Sequence, residues 1–373
     1  MINKVILLIS PEPWGENFVS KHHYANYLEK NNTVYFLNPA ASFSKNPFGT
    51  IQCATTKIKA NLIQVDYVNL LPRLNNLPKV LQKTTYKKQA KQIQKACGVE
   101  KFDIVWSFDP NRYFDQAVWN ADKTIYHTVD FHPNSRYEKD IVCSSDLFIG
   151  VTELILKDHE TYRKGIEINH AADIEGFAKQ TFDELPGSNS IRAIYTGNFH
   201  RHIDYDLLRN LAMENPDVDF IMIGPTKGSN LASKNTIELN ELGELKQISN
   251  LHFIGTVAPE NLQNYLSKCD INLVLFKKEN EKIHCSPHKL MGYFYSGNVT
   301  LSNYIDAHKN TSADIIIMAN NSTDTLAKFK AIKNNLADYN NTDLAKKRKA
   351  FALENSYPKK IEAINTLIIE KND

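Results

Sequence analysis

Short apolar runs recur along the whole chain, and segments with helix-like spacing separate them. Continuous apolar runs of this length predict strands of parallel sheet that helices cover on both faces. In the first half of the chain the runs occupy 5–10, 33–38, 103–108, 124–130 and 147–152. In the second half they occupy 193–198, 220–225, 251–256, 271–276, 299–303 and 314–320. The pattern therefore predicts two successive α/β units.

A polar stretch separates the two series of runs and predicts a linker, EINHAADIEGFAKQTFDELPGSNS. We place the boundary near 175–190, so that the domains cover 1–175 and 190–345. Ligands of open α/β sheets bind beyond the carboxyl ends of the strands. Two such domains facing each other would form a cleft, and the residues that follow each strand would line it.

Several of these strand ends carry polar or glycine residues that suit a ligand site. Arg201 follows the run that ends at Gly197, and Lys227 follows the run that ends at Gly224. Thr256 and Val257 follow the run LHFIG. We expect these strand ends to form part of one binding site.

The stretch SPHKLMGYFYSGN (286–298) has the features of a helix start and a helix end. Ser286 is a typical capping residue, Pro287 suits the first helical position, and Gly297 suits the position that ends a helix. Lys289 and His288 then lie at the end of the helix that is already electropositive. Either they form a solvated surface turn, or they bind an anion, usually a phosphate. Convergence with Arg201 favours a diphosphate-like site.

Composition excludes several other classes of protein. The chain has 373 residues, of which 42% are hydrophobic and 23% charged, and its net charge of +2 does not indicate nucleic acid as a partner. The five cysteines are scattered without metal-site or disulfide spacing. The apolar run VILLI is too short for a signal peptide, and no segment approaches the ~20 apolar residues that span a bilayer. We expect a cytoplasmic protein.

The order of these segments resembles that of the two-domain GT-B glycosyltransferases, which move a sugar from a nucleotide-sugar donor. INHAADIEGF resembles their linker, LHFIGTVAPENLQNYLSKCDINLVLF their donor-side strands, and SPHKLMGYFYSGNV their donor-site helix. ENSYPKKIEAINTLI resembles their last helix, so the resemblance implies that 346–373 crosses back onto the first domain. SPEPWGENFVSKHHYANYLEK and TIYHTVDFHP are more similar to the teichuronic-acid and xanthan glucuronosyltransferase branch.

The sequence departs from this family at two positions. Many retaining members carry two glutamates through the donor-site helix, and the matching residues here are His284 and Gly292. The departure favours inversion of the sugar's configuration and leaves the ribose contact unassigned. It also keeps open a rival reading, a nucleotide-sugar-binding partner without turnover. A Rossmann oxidoreductase is disfavoured, because no GxGxxG motif follows the first strand.

Sugar transfer would need positive charge at the leaving diphosphate and a base for the acceptor hydroxyl. The resemblance implies a donor site without a metal or cofactor, for which the sequence offers these residues: Gly197, Arg201, Gly224, Thr256, Val257, Ser286, His288 and Lys289. The string Asp217-Val218-Asp219 precedes an apolar run, so it predicts a strand entry and no metal site.

The base is expected at a strand end of the first domain. Asp130, at the end of TIYHTVD, is the first candidate, although it could simply cap a turn. Asp109 is the second candidate. His22 and His23, near the first helix, could serve as a base or bind the acceptor, or they could be packed structural residues.

A lysine ridge lies between residues 79 and 101, and five of its lysines repeat every four residues: Lys79, Lys83, Lys87, Lys91 and Lys95. On a helix such like charges repel one another. An anionic membrane would reverse that penalty, whereas a solvated helix face is the plain alternative.

Together, these features predict a cytoplasmic glycosyltransferase on the inner face of the membrane. Its donor would be a nucleotide sugar, most simply a UDP-sugar, and its acceptor a lipid-linked or growing surface glycan. A uronic acid donor would need further cations, for which Lys277, Lys278 and Lys282 are candidates.

Overall fold

The structure is a computed structural model that describes residues 1–15, 18–42, 51–173, 184–225, 239–258, 261–278 and 286–370. The chain divides into two compact units. The first unit comprises Met1–Asn169 and the chain from Tyr357 onward, and the second comprises His170–Ser356. Among the described residues no helix is both long and apolar enough to cross a membrane.

The first unit is built on an eight-stranded sheet with the order β3-β4-β2-β1-β5-β6-β7-β8. Its strands are β1 (Val5–Ile9), β2 (Thr33–Leu37), β3 (Cys53–Lys57), β4 (Leu62–Tyr67), β5 (Ile104–Ser107), β6 (Lys123–Thr128), β7 (Leu147–Gly150) and β8 (Ile166–Glu167). Only β3 is antiparallel to its neighbour in this sheet. Its helices are α1 (Ser20–Leu28), α2 (Lys79–Cys97), α3 (Glu138–Ser144) and α4 (Glu153–Lys157).

Apolar runs locate the central strands of this sheet but not its edges. Ile6 to Ile9 of β1 are fully buried, and β1 pairs with β2 on one side and β5 on the other. The sequence did not predict β3, β4 or β8. β3 is largely exposed and reads CATTK, so its residues carry no continuous apolar signal.

The second unit is built on a six-stranded sheet, entirely parallel, with the order β11-β10-β9-β12-β13-β14. Its strands are β9 (Ile191–Thr196), β10 (Val218–Ile223), β11 (Leu251–Gly255), β12 (Ile271–Val274), β13 (Val299–Asn303) and β14 (Ile317–Ala319). Its helices are α5 (Tyr205–Glu214), α6 (Leu239–Leu245), α7 (Leu262–Ser267), α8 (Lys289–Ser296), α9 (Ser322–Asn334), α10 (Leu336–Tyr339) and α11 (Thr342–Glu354).

The last helix, α12 (Tyr357–Glu370), returns to the first unit and packs against α1, where Tyr357 stacks on His23. The predicted return began at residue 346, which is too early. α11 stays in the second unit, because the buried Arg348 donates from Nη1 to the Gly297 carbonyl at 3.0 Å and from Nε to the Asp314 carbonyl at 2.9 Å. The predicted linker lies partly outside the described residues.

The order of the second sheet reverses between β9 and β12, which are neighbours in space but not in sequence. In open α/β sheets ligands bind at such a switch point, beyond the carboxyl ends of the strands. The predicted α/β class with two Rossmann-like domains is confirmed. The carboxyl edge around β9 is therefore the first place to look for a site.

Candidate functional site

Three neighbouring strands of the second sheet end in glycines with positive φ angles. Gly197 follows β9 with φ +129°, Gly224 follows β10 with φ +150°, and Gly255 ends β11 with φ +90°. Side chains at such angles are strained. A Cβ atom on Gly224 would lie 2.0 Å from the Gly197 carbonyl oxygen, so the two backbones touch. Together these glycines form a floor of bare backbone at the carboxyl edge. The sequence analysis had named two of them, Gly197 and Gly224.

The Lys289 side chain crosses this floor from the first turn of α8. Its Nζ lies 3.7 Å from the centroid of the Tyr195 ring and 5.2 Å from that of Phe276. A Cβ atom on Gly197 would come within 2.9 Å of the same nitrogen. Among the described residues no carboxylate forms an ion pair with Lys289. Two aromatic faces and a glycine thus hold a cation that has no counter-ion among the described residues.

The electrostatics of this site follow from its burial. Desolvation lowers the pKa of Lys289 to about 7, because little water remains to stabilise the ammonium. Desolvation, followed by the nearby Lys289 charge, lowers the pKa of His200 to about 4. His200 is therefore neutral near pH 7, while an anion beside Lys289 would raise the pKa of that lysine and favour its charged form.

α8 is fixed to the sheet by Tyr293, which the sequence analysis did not single out. The Thr196 N–H donates to the Tyr293 hydroxyl at 2.8 Å, and that hydroxyl donates to the Leu273 carbonyl at 3.2 Å. These bonds tie α8 to the ends of β9 and β12. A buried tyrosine within a predicted helix looks like core packing in a sequence, so no signal identified this anchor.

The start of α8 differs slightly from the prediction. The helix begins at Lys289 with His288 as its N-cap, and the Leu290 N–H donates to the Pro287 carbonyl in a tight preceding turn. Ser286 therefore lies before the helix and not at its cap. Gly297 ends the helix with φ +86°, as predicted. The His288 ring contacts the ring of His170, 5.4 Å away between centroids.

The other predicted donor residues lie on the same edge with open side chains. Arg201 is exposed in the turn after β9, and it forms no hydrogen bond or ion pair with another described residue. Thr256 is exposed and Val257 is half-buried just after β11. The structure thus places these residues at the strand ends, but it shows no contact between Arg201 and Lys289. Lys227, Lys282 and His284 lie outside the described residues.

A cavity of about 370 Å³ opens beside Phe276, beyond the ends of β12, β13 and β14. Its polar lining includes Lys277, Lys278, Asn303 and Tyr304, together with one carboxylate, that of Asp204. Two of the three lysines suggested for an acidic sugar therefore line one cavity of the second unit.

In the first unit, Asp130 lies two residues beyond β6 and is exposed. Its backbone carbonyl accepts a hydrogen bond from the Thr128 hydroxyl at 3.0 Å. Its carboxylate makes no hydrogen bond or ion pair with another described residue. The carboxylate is consequently available for a substrate.

Asp109, the second candidate base, is buried in a pair with Arg112. Its Oδ2 accepts from the Arg112 Nε at 2.5 Å, and its Oδ1 accepts from the Asn111 N–H at 2.7 Å. Arg112 also donates to the carbonyls of Ser10 and Asn38, at 2.6 and 2.9 Å. This pair ties together the ends of several strands, so the proposed role of Asp109 as a base gives way to a structural one.

His22 and His23 are buried and do not form an open acceptor site. The His22 Nδ1 accepts from the Val19 N–H at 3.2 Å, and its Nε2 lies 3.0 Å from the Pro13 carbonyl. Desolvation lowers the pKa of His22 to about 4, so the ring stays neutral. His23 stacks on Tyr357 of α12. These contacts match the packed alternative and argue against acceptor binding by His22.

A buried carboxylate that the sequence analysis missed, Glu138, lies at the start of α3. Its Oε1 accepts from the hydroxyls of Tyr126 at 2.7 Å and Thr128 at 3.1 Å, and its Oε2 lies 3.6 Å from the His159 Nε2. Burial alone would raise the pKa of Glu138, but the bonds from His159 and Tyr126 outweigh it and lower that pKa. Glu138 is thus a stabilised carboxylate with its own internal partners.

The predicted lysine ridge lies on α2, whose buried face includes Tyr86, Ala90 and Ile93. Lys79 pairs with Asp140 at 2.7 Å, and Lys83 pairs with Asp115. The other ridge lysines, Lys87, Lys91 and Lys95, are exposed.

The Asp217-Val218-Asp219 string begins β10, which confirms the predicted strand entry. Asp217 pairs with Lys333 at 2.9 Å, and the buried Asp219 accepts from the Asn189 N–H at 2.8 Å. Within the described ranges no group of His, Cys, Asp and Glu side chains could hold a metal ion.

No protein-family model matches the sequence, and no curated protein matches it. Solved structures match the fold along nearly the full chain. Sucrose-phosphate synthase from Thermosynechococcus elongatus has a TM-score of 0.66 at 11% identity, with 99% of each chain covered. Anabaena HepE, in complex with UDP and glucose, has a TM-score of 0.62 at 11% identity, with 98% of this chain and 99% of that chain covered.

A trehalose-6-phosphate synthase structure, described in work on glycosyltransfer with retention, has a TM-score of 0.65 at 11% identity. It covers 98% of this chain and 99% of its own. The likeness establishes the fold, which is that of the GT-B glycosyltransferases. The likeness does not support the more specific prediction of the teichuronic-acid and xanthan glucuronosyltransferase branch.

Proposed function

We propose that this protein is a glycosyltransferase that moves a sugar from a nucleotide-sugar donor to a lipid-linked or polysaccharide acceptor. The observation that carries the proposal is the Lys289 ammonium, which lies over a floor of glycine backbone at a switch point and has no counter-ion in the part of the chain that the structure describes. A cation held in this way suits the diphosphate of a nucleotide sugar.

UDP is the nucleotide we favour for the donor. One solved structure with this fold holds UDP and glucose, and another is described as a UDP-forming synthase. The strand-end residues Gly197, Gly224, Thr256 and Val257 are the proposed donor contacts, together with Arg201 and the α8 start at Ser286, His288 and Lys289. The cavity lined by Lys277 and Lys278 would suit a carboxylate on the sugar.

In the proposed reaction the acceptor oxygen attacks the anomeric carbon, and the bond from that carbon to the phosphate oxygen breaks. The electron pair leaves with the nucleoside diphosphate, whose charge Lys289 and the helix start offset. Asp130 takes the proton of the acceptor hydroxyl, since its exposed carboxylate has no other partner among the described residues. Lysine supplies the positive charge, so we propose catalysis without a resident metal or cofactor.

We propose inversion, because Gly292 offers no carboxylate at the position where many retaining members carry one. Among the described residues a Cβ atom there would meet only the Leu266 Cδ1, at 3.7 Å, so the position has room for at least a Cβ atom. Nuclear magnetic resonance of the product's anomeric proton tests this point. A retained configuration would remove both the inverting mechanism and the role of Asp130 as its base.

The second candidate is a nucleotide-sugar-binding partner that performs no transfer, and the missing carboxylate at Gly292 favours it. Purified protein incubated with UDP-sugars separates the two functions. A transferase slowly releases UDP even without acceptor, and chelation of divalent metal leaves that rate unchanged. Donor binding without any release, with or without lipid-linked acceptors, would support the binding partner instead.

The proposed acceptor places the protein in the cytoplasm, on the inner face of the membrane. A lipid-linked glycan is presented at that surface, so an enzyme acting on it gains from being bound there.

A further inference from the structure

Helix α2 presents one exposed face that combines an apolar residue with a row of lysines. Positions 80, 87, 91 and 95 follow at spacings of seven and four residues, which places them on one side of a helix. Val80 at the start of this face is 76% exposed, and Lys87, Lys91 and Lys95 are exposed along the rest. We call these four residues the α2 face.

Two other lysines of α2 differ from those of the α2 face because they form ion pairs. Lys79 and Lys83 lie to one side of it and are neutralised by Asp140 and Asp115. Lys87, Lys91 and Lys95 form no ion pair with any described carboxylate. The α2 face thus carries three lysines without a described carboxylate partner, and neighbouring lysines on it repel one another.

A groove of about 610 Å³ runs beside these three lysines. Its polar lining is completed by Gln94, Glu100 and Asn120. The Gln94 amide donates to the Trp119 carbonyl at 2.9 Å, which fixes that wall of the groove. Three ammonium groups around a space of this size can surround a phosphate group.

We propose that the α2 face docks this protein on an anionic phospholipid surface, with lipid phosphates in the groove and Val80 in the interfacial layer. A basic helix with an exposed apolar residue binds such a surface through charge and apolar burial together. Nucleic acid is a poorer match, because no aromatic side chain is exposed on this face. The inference names a partner for the proposed function, but it does not depend on sugar transfer.

Flotation with lipid vesicles tests the proposal in the absence of donor and acceptor. The full chain is expected to bind phosphatidylglycerol-containing vesicles and not pure phosphatidylcholine vesicles. Replacing Lys87, Lys91 and Lys95 with glutamine should weaken that binding about 100-fold, at ~1 kcal/mol for each lysine. The matched control replaces three exposed lysines of the second unit, Lys330, Lys346 and Lys349, with glutamine. It should bind the vesicles as the unchanged protein does.

Further variants separate charge from apolar contact. Lys79→Gln with Lys83→Gln should weaken binding less than the triple variant, because aspartates already neutralise these lysines. Val80→Ser should weaken it several-fold, roughly the loss expected for one partly buried valine. Far-ultraviolet circular dichroism and melting temperature confirm that each variant is folded.

Four results would overturn the proposal. They are no binding to anionic vesicles, unchanged binding by the triple variant, equal loss in the matched control, and full competition by inorganic phosphate or duplex DNA. Because neither donor nor acceptor is present, these results leave the proposed transferase activity untouched. Conversely, failure to release UDP would not alter the vesicle result.

Discussion

The carboxyl edges of the two sheets differ in how their charged side chains are paired. In the first unit, Asp109 and Arg112 form a buried pair, and Glu138 is paired with His159. In the second unit, Lys289 lies among aromatic rings and has no described carboxylate as a partner. The members of a buried pair compensate each other's charge, whereas an unpaired, partly desolvated cation weakens the fold. The difference is what the proposed binding of an anionic donor at the second edge would require.

The first edge leaves one carboxylate outside these pairs, that of Asp130. It is exposed, and among the described residues it has no hydrogen-bond or ion-pair partner. We therefore expect the buried charges of the first unit to contribute to its stability, and the exposed Asp130 carboxylate to contribute to the proposed reaction. Each assignment predicts a different result for substitutions that change only the charge.

Asp130→Asn should have the largest effect on sugar transfer. Removal of a general base lowers the rate by roughly 100- to 10,000-fold, while donor affinity should stay as it is. The residue is exposed, so the free energy of unfolding should change by no more than about 0.5 kcal/mol. Transfer rate, donor titration and urea unfolding measure the three quantities. Normal transfer would remove Asp130 from the mechanism.

Asp109→Asn should act on stability instead. It leaves the Arg112 guanidinium buried without its carboxylate, which costs about 3–5 kcal/mol in comparable sites. Urea unfolding followed by tryptophan fluorescence measures the loss, and Asp130→Asn is the matched control. A stable Asp109→Asn variant without transfer activity would exchange the roles of the two aspartates.

The sequence predicts much of this fold because its central strands are continuous apolar runs. β1 and β10, for example, are buried almost throughout, and a run of apolar residues reports that directly. The edge strand β3 has mostly polar, exposed residues, so the same signal is absent there. The return helix begins at Tyr357 and not at 346, because a buried Arg348 holds α11 in the second unit.

Site residues were predictable from the sequence where they occupy a recognisable local position, such as a strand end or a helix start. Gly197 and Lys289 occupy positions that follow from strand ends and helix starts, and the structure brings them into contact. The role of Arg112 was not predictable, because its partners other than Asp109 lie far away in sequence, at Ser10, Asn38 and Tyr67. The aromatic support of Lys289 by Tyr195 and Phe276 depends on the same kind of long-range contact.

Gly197→Ala tests whether the position of the Lys289 ammonium in the second unit matters for donor binding. The new Cβ atom would lie 2.9 Å from the Lys289 Nζ at a φ of +129°, so the ammonium must move. We expect roughly tenfold weaker donor binding and a loss of about 1–3 kcal/mol of stability. Calorimetric titration and urea unfolding measure the two effects.

Gly292→Ala is the control for that variant within the same site. Among the described residues its Cβ atom meets only Leu266, and alanine is the better helix former by about 1 kcal/mol. It should bind the donor normally and unfold at equal or higher urea concentration. Equal loss of donor binding in both variants would show that the contact between Gly197 and Lys289 is not the cause.

The pH dependence of donor affinity tests the charge of Lys289 without any substitution. With a Lys289 pKa of about 7, the free ammonium loses its proton as pH rises, whereas a bound diphosphate raises that pKa and retains the proton. Affinity should therefore be highest below about pH 7 and fall at most about tenfold per pH unit above it. His200, with a pKa of about 4, stays neutral throughout this range and contributes nothing.

Titration of a nucleotide sugar between about pH 6 and pH 9 measures this dependence, because both of its phosphates stay ionised there. Buffers with different ionisation enthalpies report the proton that is taken up on binding. A flat profile with no proton uptake would show that Lys289 does not bind the diphosphate.

The most direct test of the central claim is calorimetric titration of UDP-sugars into the unchanged protein and into Lys289→Met. Methionine keeps much of the packing against Tyr195 and Phe276 but removes the charge. The account predicts donor binding that weakens by about 1.5–3 kcal/mol, roughly 10- to 100-fold, with a melting temperature that is unchanged or higher. Equal affinity of both proteins for the UDP-sugar would contradict a donor site built around Lys289.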